Sequence, residues 1–359
     1  MNDGEIKRPA AVDFGRPVAV LRAGTGRLSG RVDVRVVAVV AVLLALTFVA
    51  FVVALVLGDY QMPVDRVLTA LFGTGTPRDE FVMGRRLPRA LLAVLLGAAL
   101  GISGAIIQSL TRNPLGSPDV IGFNTGAYTG ALLVIVVFGG SAGYLGTSAG
   151  SLIGGIATAL IVYLLAYKQG VQGFRLIVVG IGVSAMLASL NTWLILTADL
   201  DVAMAAAAWG AGTLQDPQND LKVPIVALVF ALVLVLLVPL SVRMKVMEMG
   251  DDAATALGVR TERTRLILLV LGVSLTALAT AAAGPIAFVA LAAPQLAKRL
   301  AGSAGVSMLP AAAMGALLLS ASDLVAQWTF STPLPVGVVT VSVGGLYLVW
   351  LIARETKKN

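Results

Sequence analysis

The sequence contains neither cysteine nor histidine among its 359 residues. Disulfide bonds, zinc sites built from Cys and His, and haem ligated by either residue are therefore excluded. A Ser-His-Asp catalytic triad is also impossible without histidine. Charged residues are scarce, at 13% of the chain, while 58% are hydrophobic. A water-soluble domain cannot bury that much apolar surface, so the composition predicts a polytopic membrane protein.

The chain also lacks a Gly-x-x-x-x-Gly-Lys-Ser/Thr sequence, so it has no P-loop for binding ATP phosphates. Ionisable residues inside apolar stretches are few, and Asp323 is the clearest case. Such a residue is either functional or close to the outer interface, and the sequence favours neither interpretation. A membrane enzyme is disfavoured. A transport permease, an ion-coupled secondary transporter and a membrane scaffold remain as hypotheses.

Ten apolar stretches approach the roughly 20 residues that a helix needs to cross a bilayer. The sequence therefore predicts an all-α, polytopic membrane protein with about ten transmembrane helices. Their expected ranges are 36–57, 88–109, 122–139, 143–167, 174–197, 223–242, 264–283, 286–299, 307–330 and 335–353.

Lysine and arginine are distributed unevenly between the predicted loops. If both termini lie inside, 20 of the 26 basic residues fall in inner segments and 6 in outer ones. Positive charge collects on the cytoplasmic side of membrane proteins, so we expect cytoplasmic N- and C-termini. Topology then explains the net charge of +7, and no nucleic-acid partner is expected.

These patterns divide the chain into three predicted regions: an N-terminal arm, a transmembrane domain and a short tail. Residues 1–35 are polar and basic, and glycine and proline interrupt any helical period, which predicts a flexible cytoplasmic arm. Residues 36–355 form the transmembrane domain, and residues 356–359 form a cytoplasmic tail. No cleaved signal peptide is expected, because the run at 36–57 is long enough to span and lacks a clear cleavage site.

Glycine pairs at a spacing of four occur in three predicted spans, and each pair would lie on one helix face. This spacing predicts close helix–helix packing. The pairs are Gly97 with Gly101, Gly126 with Gly130, and Gly150 with Gly154.

A polar segment at 246–262 separates the sixth and seventh predicted spans. Asp251 and Asp252 would occupy the first turn of a short helix, where carboxylates favour the positive end of the helix dipole. Gly258 would follow the last helical residue, at a position that often needs a left-handed backbone. The pattern predicts a short capped helix, although an ordinary cytoplasmic loop is the commoner structure for such a segment.

A second break lies between the second and third predicted spans. Ser117 and Pro118 are typical of the N-cap and first residue of a helix, with Asp119 in its first turn. Irregular backbone at membrane depth occurs only where protein covers it or where it lines a watery path. We interpret the segment as a re-entry turn at the inner surface, with a place beside a translocation route as a further hypothesis.

Several motifs resemble those of the permease subunits of ATP-driven importers for iron siderophores and vitamin B12, the FecCD family. The resemblance covers nearly the whole chain, and residues 112–119 and 248–252 look closest to enterobactin-type subunits. The motifs are Arg86-Leu87-Pro88-Arg89, Gly97, Gly101, Ser103, Gly104, Gln108, Asn113-Pro114-Leu115, Gly122-x-Asn124-x-Gly126, the segment 246–262, Gly284-Pro285-Ile286-x-Phe288, Ala293-Pro294-Gln295-Leu296-Ala297 and Leu334-Pro335-Val336-Gly337-Val338-Val339-Thr340.

The resemblance implies a permease subunit of an ATP-binding-cassette (ABC) importer in the cytoplasmic (inner) membrane. Its substrate would be a ferric siderophore of the enterobactin-like catecholate kind. The chain would have no catalytic residue and would bind no metal or cofactor, since ATP and Mg would belong to two copies of a cytoplasmic ATPase. Other implied partners are a second FecCD-type permease chain, an extracytoplasmic siderophore-binding protein and membrane lipid.

The resemblance also implies roles for individual residues. Arg86 and Arg89 would dock the binding protein, while snorkelling of these side chains to the headgroup layer is the alternative. The segment 246–262 would couple to the ATPase. The coupling candidates are Glu248, Gly250, Asp251, Asp252, Ala253, Leu257 and Gly258. The pathway or helix-break candidates are Asn113, Pro114, Asn124, Gly126, Gly284 and Pro285.

Two positions depart from the family pattern. Many members have Pro-His where this chain has Pro294-Gln295, and vitamin B12-type members have an arginine where Gln327 stands. The second departure disfavours cobalamin as the substrate. Another iron chelate, haem or cobalamin remains the alternative cargo.

Overall fold

The structure is a computed structural model. It describes residues 18–23, 28–58, 60–138, 143–167, 173–216, 219–303 and 305–356. Much of the predicted arm and the tail residues 357–359 lie outside these ranges.

Helices dominate the described residues, which is the predicted all-α fold. In chain order they are α1 (Val34–Val56), α2 (Val64–Leu71), α3 (Pro77–Thr111), α4 (Phe123–Phe138), α5 (Gly143–Ala166), α6 (Gly173–Thr197), α7 (Leu200–Gly210), α8 (Asn219–Met247), α9 (Asp251–Ala256), α10 (Thr261–Ala283), α11 (Val289–Ala301), α12 (Met308–Trp328) and α13 (Val336–Thr356).

Each of the ten predicted spans contains a helix. Seven of these helices, α1, α3, α5, α6, α8, α10 and α12, are long and apolar enough to cross a membrane. The chain is therefore a polytopic membrane protein. Helix α3 begins eleven residues before the predicted start, because Thr76 and Asp79 form a capping box and Pro77 occupies the first turn. Pro88, which the sequence suggested as a helix start, lies inside it.

The predicted span 286–299 is not a continuous helix. Helix α11 begins at Val289 and has 13 residues, so it extends only about 20 Å of the roughly 30 Å hydrocarbon core. Gly284 precedes it with a φ of 75° and Phe288 with a φ of 67°, and these left-handed residues keep the chain from extending the helix upstream.

Two short strands precede α1. Strand β1 (Val18–Ala23) pairs antiparallel with β2 (Leu28–Asp33), with Val18 opposite Asp33 and Ala23 opposite Leu28. This hairpin was not predicted, because the sequence indicated an irregular arm. Asp33 then caps α1 by accepting the N–H of Arg35 at 3.0 Å.

Helices α3 and α10 lie at the centre of the bundle, with most of their residues buried, whereas few residues of α1, α6 and α8 are buried. Leu96 and Leu100 of α3 pack with Ala279 of α10, Ala290 of α11 and Leu319 of α12 in one apolar cluster. This arrangement suits a membrane, where the perimeter faces lipid and can be as apolar as the core.

The glycine pairs allow close approach of helix backbones, as predicted. A Cβ on Gly97 would lie 2.4 Å from the carbonyl oxygen of Gly315 in α12. In the same way, a Cβ on Gly130 of α4 would lie 2.0 Å from the carbonyl oxygen of Gly150 in α5. Larger residues in place of these glycines would therefore push α3 away from α12 and α4 away from α5.

Candidate functional site

The polar segment after α8 contains the predicted short helix, α9, which ends as the sequence indicated. Gly258 has a φ of 81°, in the left-handed region. Its N–H donates to the carbonyl of Thr255, and the N–H of Val259 donates to the carbonyl of Ala254, each at 2.9 Å. These bonds form a Schellman C-cap. The short helix and its end at Gly258 are confirmed.

Asp251, in the first turn of α9, connects this helix to two others. Its Oδ1 accepts from Nη2 of Arg112, the residue that ends α3, at 2.6 Å, and its Oδ2 accepts from Nη2 of Arg265 in α10 at 2.8 Å. The same Nη2 of Arg112 donates to the carbonyl of Met247 at 3.0 Å. One carboxylate therefore joins α9 to the ends of α3 and α10.

Opposing influences act on the pKa of Asp251. Burial raises the pKa, but the hydrogen bond and charge of Arg265, together with Arg112, outweigh burial and hold the pKa below its usual value. The carboxylate is ionised at neutral pH, so both contacts are charge-assisted.

Glu248, at the start of the same segment, also faces the protein. Its Oε1 accepts from Oγ of Ser109 in α3 at 2.9 Å, and a Cβ on Gly305 would lie 2.2 Å from its Oε2. A polar cavity of about 270 Å³ lies between this segment, α3 and α11. Residues that line it include Gln108, Arg112, Asn113, Glu248, Gln295 and Lys298.

Other coupling candidates face outward. Leu257 is 64% exposed and the adjacent Met249 is 70% exposed. Asp252 and Gly258 are exposed as well, and Gly250 and Ala253 are half-buried. The segment thus presents the apolar side chains of Met249 and Leu257 to its surroundings, while Glu248 and Asp251 bond inward. The exposed charged residues of the segment are Asp252, Arg260 and Glu262.

The predicted docking arginines both have partners within the chain. Arg86 donates through Nη1 to the carbonyl of Leu55 at 2.9 Å and through Nη2 to that of Tyr60 at 2.7 Å. It thereby satisfies carbonyl groups at and beyond the end of α1.

Arg89 forms a bidentate ion pair with Asp323 of α12. Nε and Nη2 of Arg89 lie 3.1 Å and 2.7 Å from the carboxylate oxygens. The side chains are 16% and 3% exposed, and Nε2 of Gln327 also donates to the carboxylate at 2.7 Å. Asp323 is thus a buried acid with an internal partner. Docking through Arg86 and Arg89 stays a prediction, and it competes with these internal bonds.

The turn after α3 differs partly from the prediction. Oγ of Ser117 accepts the N–H of Val120 at 3.2 Å, as expected for an N-cap. The turn then stops at Gly122, where φ is 92°, and the N–H of Phe123 donates back to the carbonyl of Pro118 at 3.0 Å. Ser117 therefore caps one isolated turn rather than the start of a helix, and α4 begins at Phe123, one residue after the predicted start of that span.

Asp119 and Asn124 connect this turn to the break before α11. Asp119 accepts the N–H of Phe288 at 3.0 Å and a short hydrogen bond from Nδ2 of Asn124. Oδ1 of Asn124 accepts in turn from Oγ1 of Thr280 in α10 at 3.0 Å. The two helix breaks therefore meet, and their polar groups satisfy each other.

The break at Gly284 and Pro285 also contacts the end of α7 and Gly212, which in turn contacts the start of α13. A Cβ on Gly284 would lie 2.3 Å from the carbonyl oxygen of Trp209, and one on Gly212 would lie 2.4 Å from that of Pro285. The N–H of Gly337 donates to the carbonyl of Gly212 at 3.1 Å. Glycine permits these approaches because no Cβ intervenes.

The remaining pathway candidates lie apart from this region. Oδ1 of Asn113 accepts the N–H of Leu115 at 2.9 Å, and Asn113 and Pro114 line the polar cavity beside Glu248. Gly126 packs against Thr158 of α5. The structure therefore brings Asn124, Gly284 and Pro285 into one neighbourhood and leaves the others elsewhere.

Sequence reasoning did not identify Arg112, Arg265 or Ser109 as partners of the coupling segment. Each lies well over ten residues away along the chain from the group that it binds, and no local pattern marks such a pairing. The described residues contain no group of three or more Asp, Glu, His or Cys that could hold a metal ion.

The described ranges thus form a helical membrane protein with interrupted helices that meet inside the bundle, an architecture typical of membrane transport proteins. The chain belongs to the FecCD transport family, which matches residues 45–354.

Comparisons with known proteins agree with that family. The chain is 49% identical over 307 residues to the ferric enterobactin transport system permease protein FepG of Escherichia coli K12, covering 84% of this chain and 91% of the relative. It is 36% identical to FepD of the same system, covering 92% and 99%. A solved structure, described as a metal-chelate type ABC transporter in an inward-facing conformation, matches with a TM-score of 0.78 and 27% identity, covering 88% and 99%.

Proposed function

We propose that the chain is one permease subunit of an ABC importer that carries a ferric siderophore, of the enterobactin-like catecholate kind, across the cytoplasmic membrane. The observation that carries the proposal is the coupling segment, a capped helix that is bonded internally and exposes an apolar surface. Similarity to the FepG and FepD proteins supports the substrate class. The likeness to an ABC transporter structure supports the mechanism.

The proposed complex contains a second FecCD-type permease, two copies of a cytoplasmic ATPase and an extracytoplasmic binding protein. ATP and Mg would bind to the ATPase, and this chain would transmit movement. The exposed surface around Met249 and Leu257 is the proposed ATPase contact. ATP closure can shift the permease only if the ATPase contacts the inward-facing and outward-facing states differently.

Both termini and the coupling segment are proposed to lie in the cytoplasm, which places Arg86 and Arg89 at the outer end of α3. The binding protein would approach that end. Arg86 and Arg89 remain the proposed contacts, and each would have to exchange an internal partner for a carboxylate of the binding protein. Arg85, which is exposed beside the ring of Phe81, is available without such an exchange.

The substrate is tested by uptake in cells that lack this chain and carry either an empty vector or the wild-type gene. Ferric catecholate, ferric hydroxamate, ferric citrate, haem and cobalamin are supplied separately. We expect the gene to restore catecholate uptake alone. Restoration of another cargo instead would assign the chain to that cargo.

The energy source is tested in the same cells. Uptake should stop when the P-loop lysine of the partner ATPase is replaced, and that ATPase should co-purify with this chain. Uptake that continues without the ATPase and stops with a protonophore would instead identify an ion-coupled secondary transporter.

A further inference from the structure

Arg112 occupies a backbone position that normally favours glycine. It ends α3 with a φ of 50°, in the left-handed region. Its N–H donates to the carbonyl of Ser109, and the N–H of Asn113 donates to that of Gln108, both at 3.3 Å. This is the Schellman pattern, with Arg112 at the position where helices most often have glycine. An L-residue with a side chain is strained there, and glycine is not.

The contacts of its side chain explain why an arginine, rather than a glycine, occupies this strained position. Its guanidinium joins the carboxylate of Asp251 and the carbonyl of Met247, at the two ends of the polar link between α8 and α9. The Arg112 and Asp251 side chains are 48% and 44% exposed. Ion pairs this exposed contribute little to folding stability, so stability does not explain the strain. Strained residues of this kind gather at functional positions.

Arg265 fixes the other side of Asp251. Its side chain is 8% exposed and bonds both Asp251 and Glu262. It projects from the second turn of α10, one of the two most buried of the candidate membrane spans. Asp251 is thus held between an arginine that ends α3 and a buried arginine near the start of α10.

We propose that Asp251, Arg112 and Arg265, here called the Asp251 cluster, transmit the movement of α9 to α3 and α10. In this role Asp251 is a positioning residue inside the permease, whereas the ATPase binds the surface around Met249 and Leu257. The proposal rests on the proposed function, because it requires an ATPase that moves α9. The hydrogen bonds of Asp251 support the proposal, because both of its carboxylate oxygens bind arginines of the permease itself.

The test uses the complete importer, with both permeases, the ATPase and the binding protein, reconstituted in lipid vesicles. Arg112→Gly removes the guanidinium and also relieves the backbone strain. We expect an unchanged or higher melting temperature, normal co-purification of the ATPase and continued ATP hydrolysis. The siderophore transported per ATP hydrolysed should fall roughly 5- to 10-fold, the lower end of usual coupling factors.

Two further variants distinguish an effect of the Asp251 charge from an effect on folding. Asp251→Asn should lower the transport ratio as Arg112→Gly does, and Asp251→Glu should recover part of it, because the charge is kept. Arg263→Gln is the matched control. Arg263 is an exposed neighbour on α10, and its loss of positive charge should leave the ratio at the wild-type value.

Three results would overturn the proposal. A wild-type ratio in both Arg112→Gly and Asp251→Asn would show that the cluster transmits nothing. Loss of ATPase co-purification in Asp251→Asn would make Asp251 an ATPase contact. A wild-type complex that shows no ATP-dependent uptake would overturn the proposed function, and the cluster with it, and this result is recognised before any variant is compared.

Discussion

At the scale of single residues, Asp323 shows how the N-terminal half of α3 is held. The carboxylate is almost fully buried, and its charge is balanced by the guanidinium of Arg89 and an amide of Gln327. A buried pair of this kind stabilises little in net terms, because desolvation offsets the attraction. Removing only one member of the pair, however, leaves the other as a buried charge without a partner.

Arg89→Met is therefore expected to destabilise the chain by about 3–5 kcal/mol, the usual effect of leaving one buried charge unpaired. The double variant Arg89→Met with Asp323→Leu should recover most of that loss, since it removes both charges. Thermal unfolding in detergent measures both effects. If Arg89→Met unfolds like the wild type and only slows association with the binding protein, Arg89 acts in docking, as the sequence predicts.

Gly258 allows a second test at this scale, because its positive φ is the only constraint at a site with open space around the Cβ position. Gly258→Val should impair uptake while leaving membrane insertion intact, because a β-branched residue is poorly tolerated at positive φ. Uptake and the membrane content of the chain are measured together. Gly73→Val is the control, since Gly73 has a φ of 68° and open space but lies far from α9 in the sequence. Normal uptake by Gly258→Val would contradict coupling through α9.

The sequence predicted Gly258 and α9 because a helix cap is a local pattern, set by residues four or five positions apart. It did not predict the bond between Arg89 and Asp323, which lie 234 residues apart. The docking hypothesis for Arg89 came from the family resemblance. In the structure the charge of Arg89 is balanced by the carboxylate of Asp323, which the sequence alone could not pair with it.

At the scale of elements, α11 depends on the turn that precedes α4. The N–H of Phe288, at the left-handed N-cap of α11, donates to Asp119. The sequence indicated a break at both places but not that they meet. The ten apolar stretches of the sequence predicted the positions of ten helices. The short length of α11 could not be predicted, because apolar residues continue through the break at 284–288.

Asp119→Leu should therefore loosen the start of α11. The substitution leaves the N–H of Phe288 and the amide of Asn124 without an acceptor, at about 1–3 kcal/mol for each unsatisfied group. We expect a lower melting temperature and reduced uptake. Asp119→Asn should be milder, because it keeps one acceptor. Asp65→Leu, at an exposed position in α2, should have neither effect, and equal melting of the Leu and Asn variants at position 119 would count against this account.

At the scale of the whole molecule, the distribution of charge predicts the orientation in the membrane, which is open to a direct test. The chain has no cysteine, so a single introduced cysteine is the only site for a thiol reagent. Thr74→Cys, between α2 and α3, should react with a membrane-impermeant maleimide added to spheroplasts. Arg260→Cys, between α9 and α10, should react only after lysis. Both residues are exposed, so the reverse result would place the termini outside.

We expect the second permease chain to bind at the surface of α6. Helices α1 and α8 expose chiefly leucine, valine and alanine between their ends, whereas α6 also exposes Gly182 and the hydroxyl residues Ser189 and Thr192 within its apolar length. In lipid, small and polar residues of this kind are typical of helix–helix interfaces, where they allow close packing.

Ser189→Trp should then prevent pairing by holding the two chains apart. The measurement is co-purification of this chain with a tagged second permease, followed by size-exclusion chromatography in mild detergent. Leu228→Trp is the matched control, because Leu228 is 72% exposed on α8, where we expect lipid. We expect pairing and uptake to be lost with Ser189→Trp and kept with Leu228→Trp. If both variants pair and transport normally, α6 faces lipid and the second chain binds elsewhere.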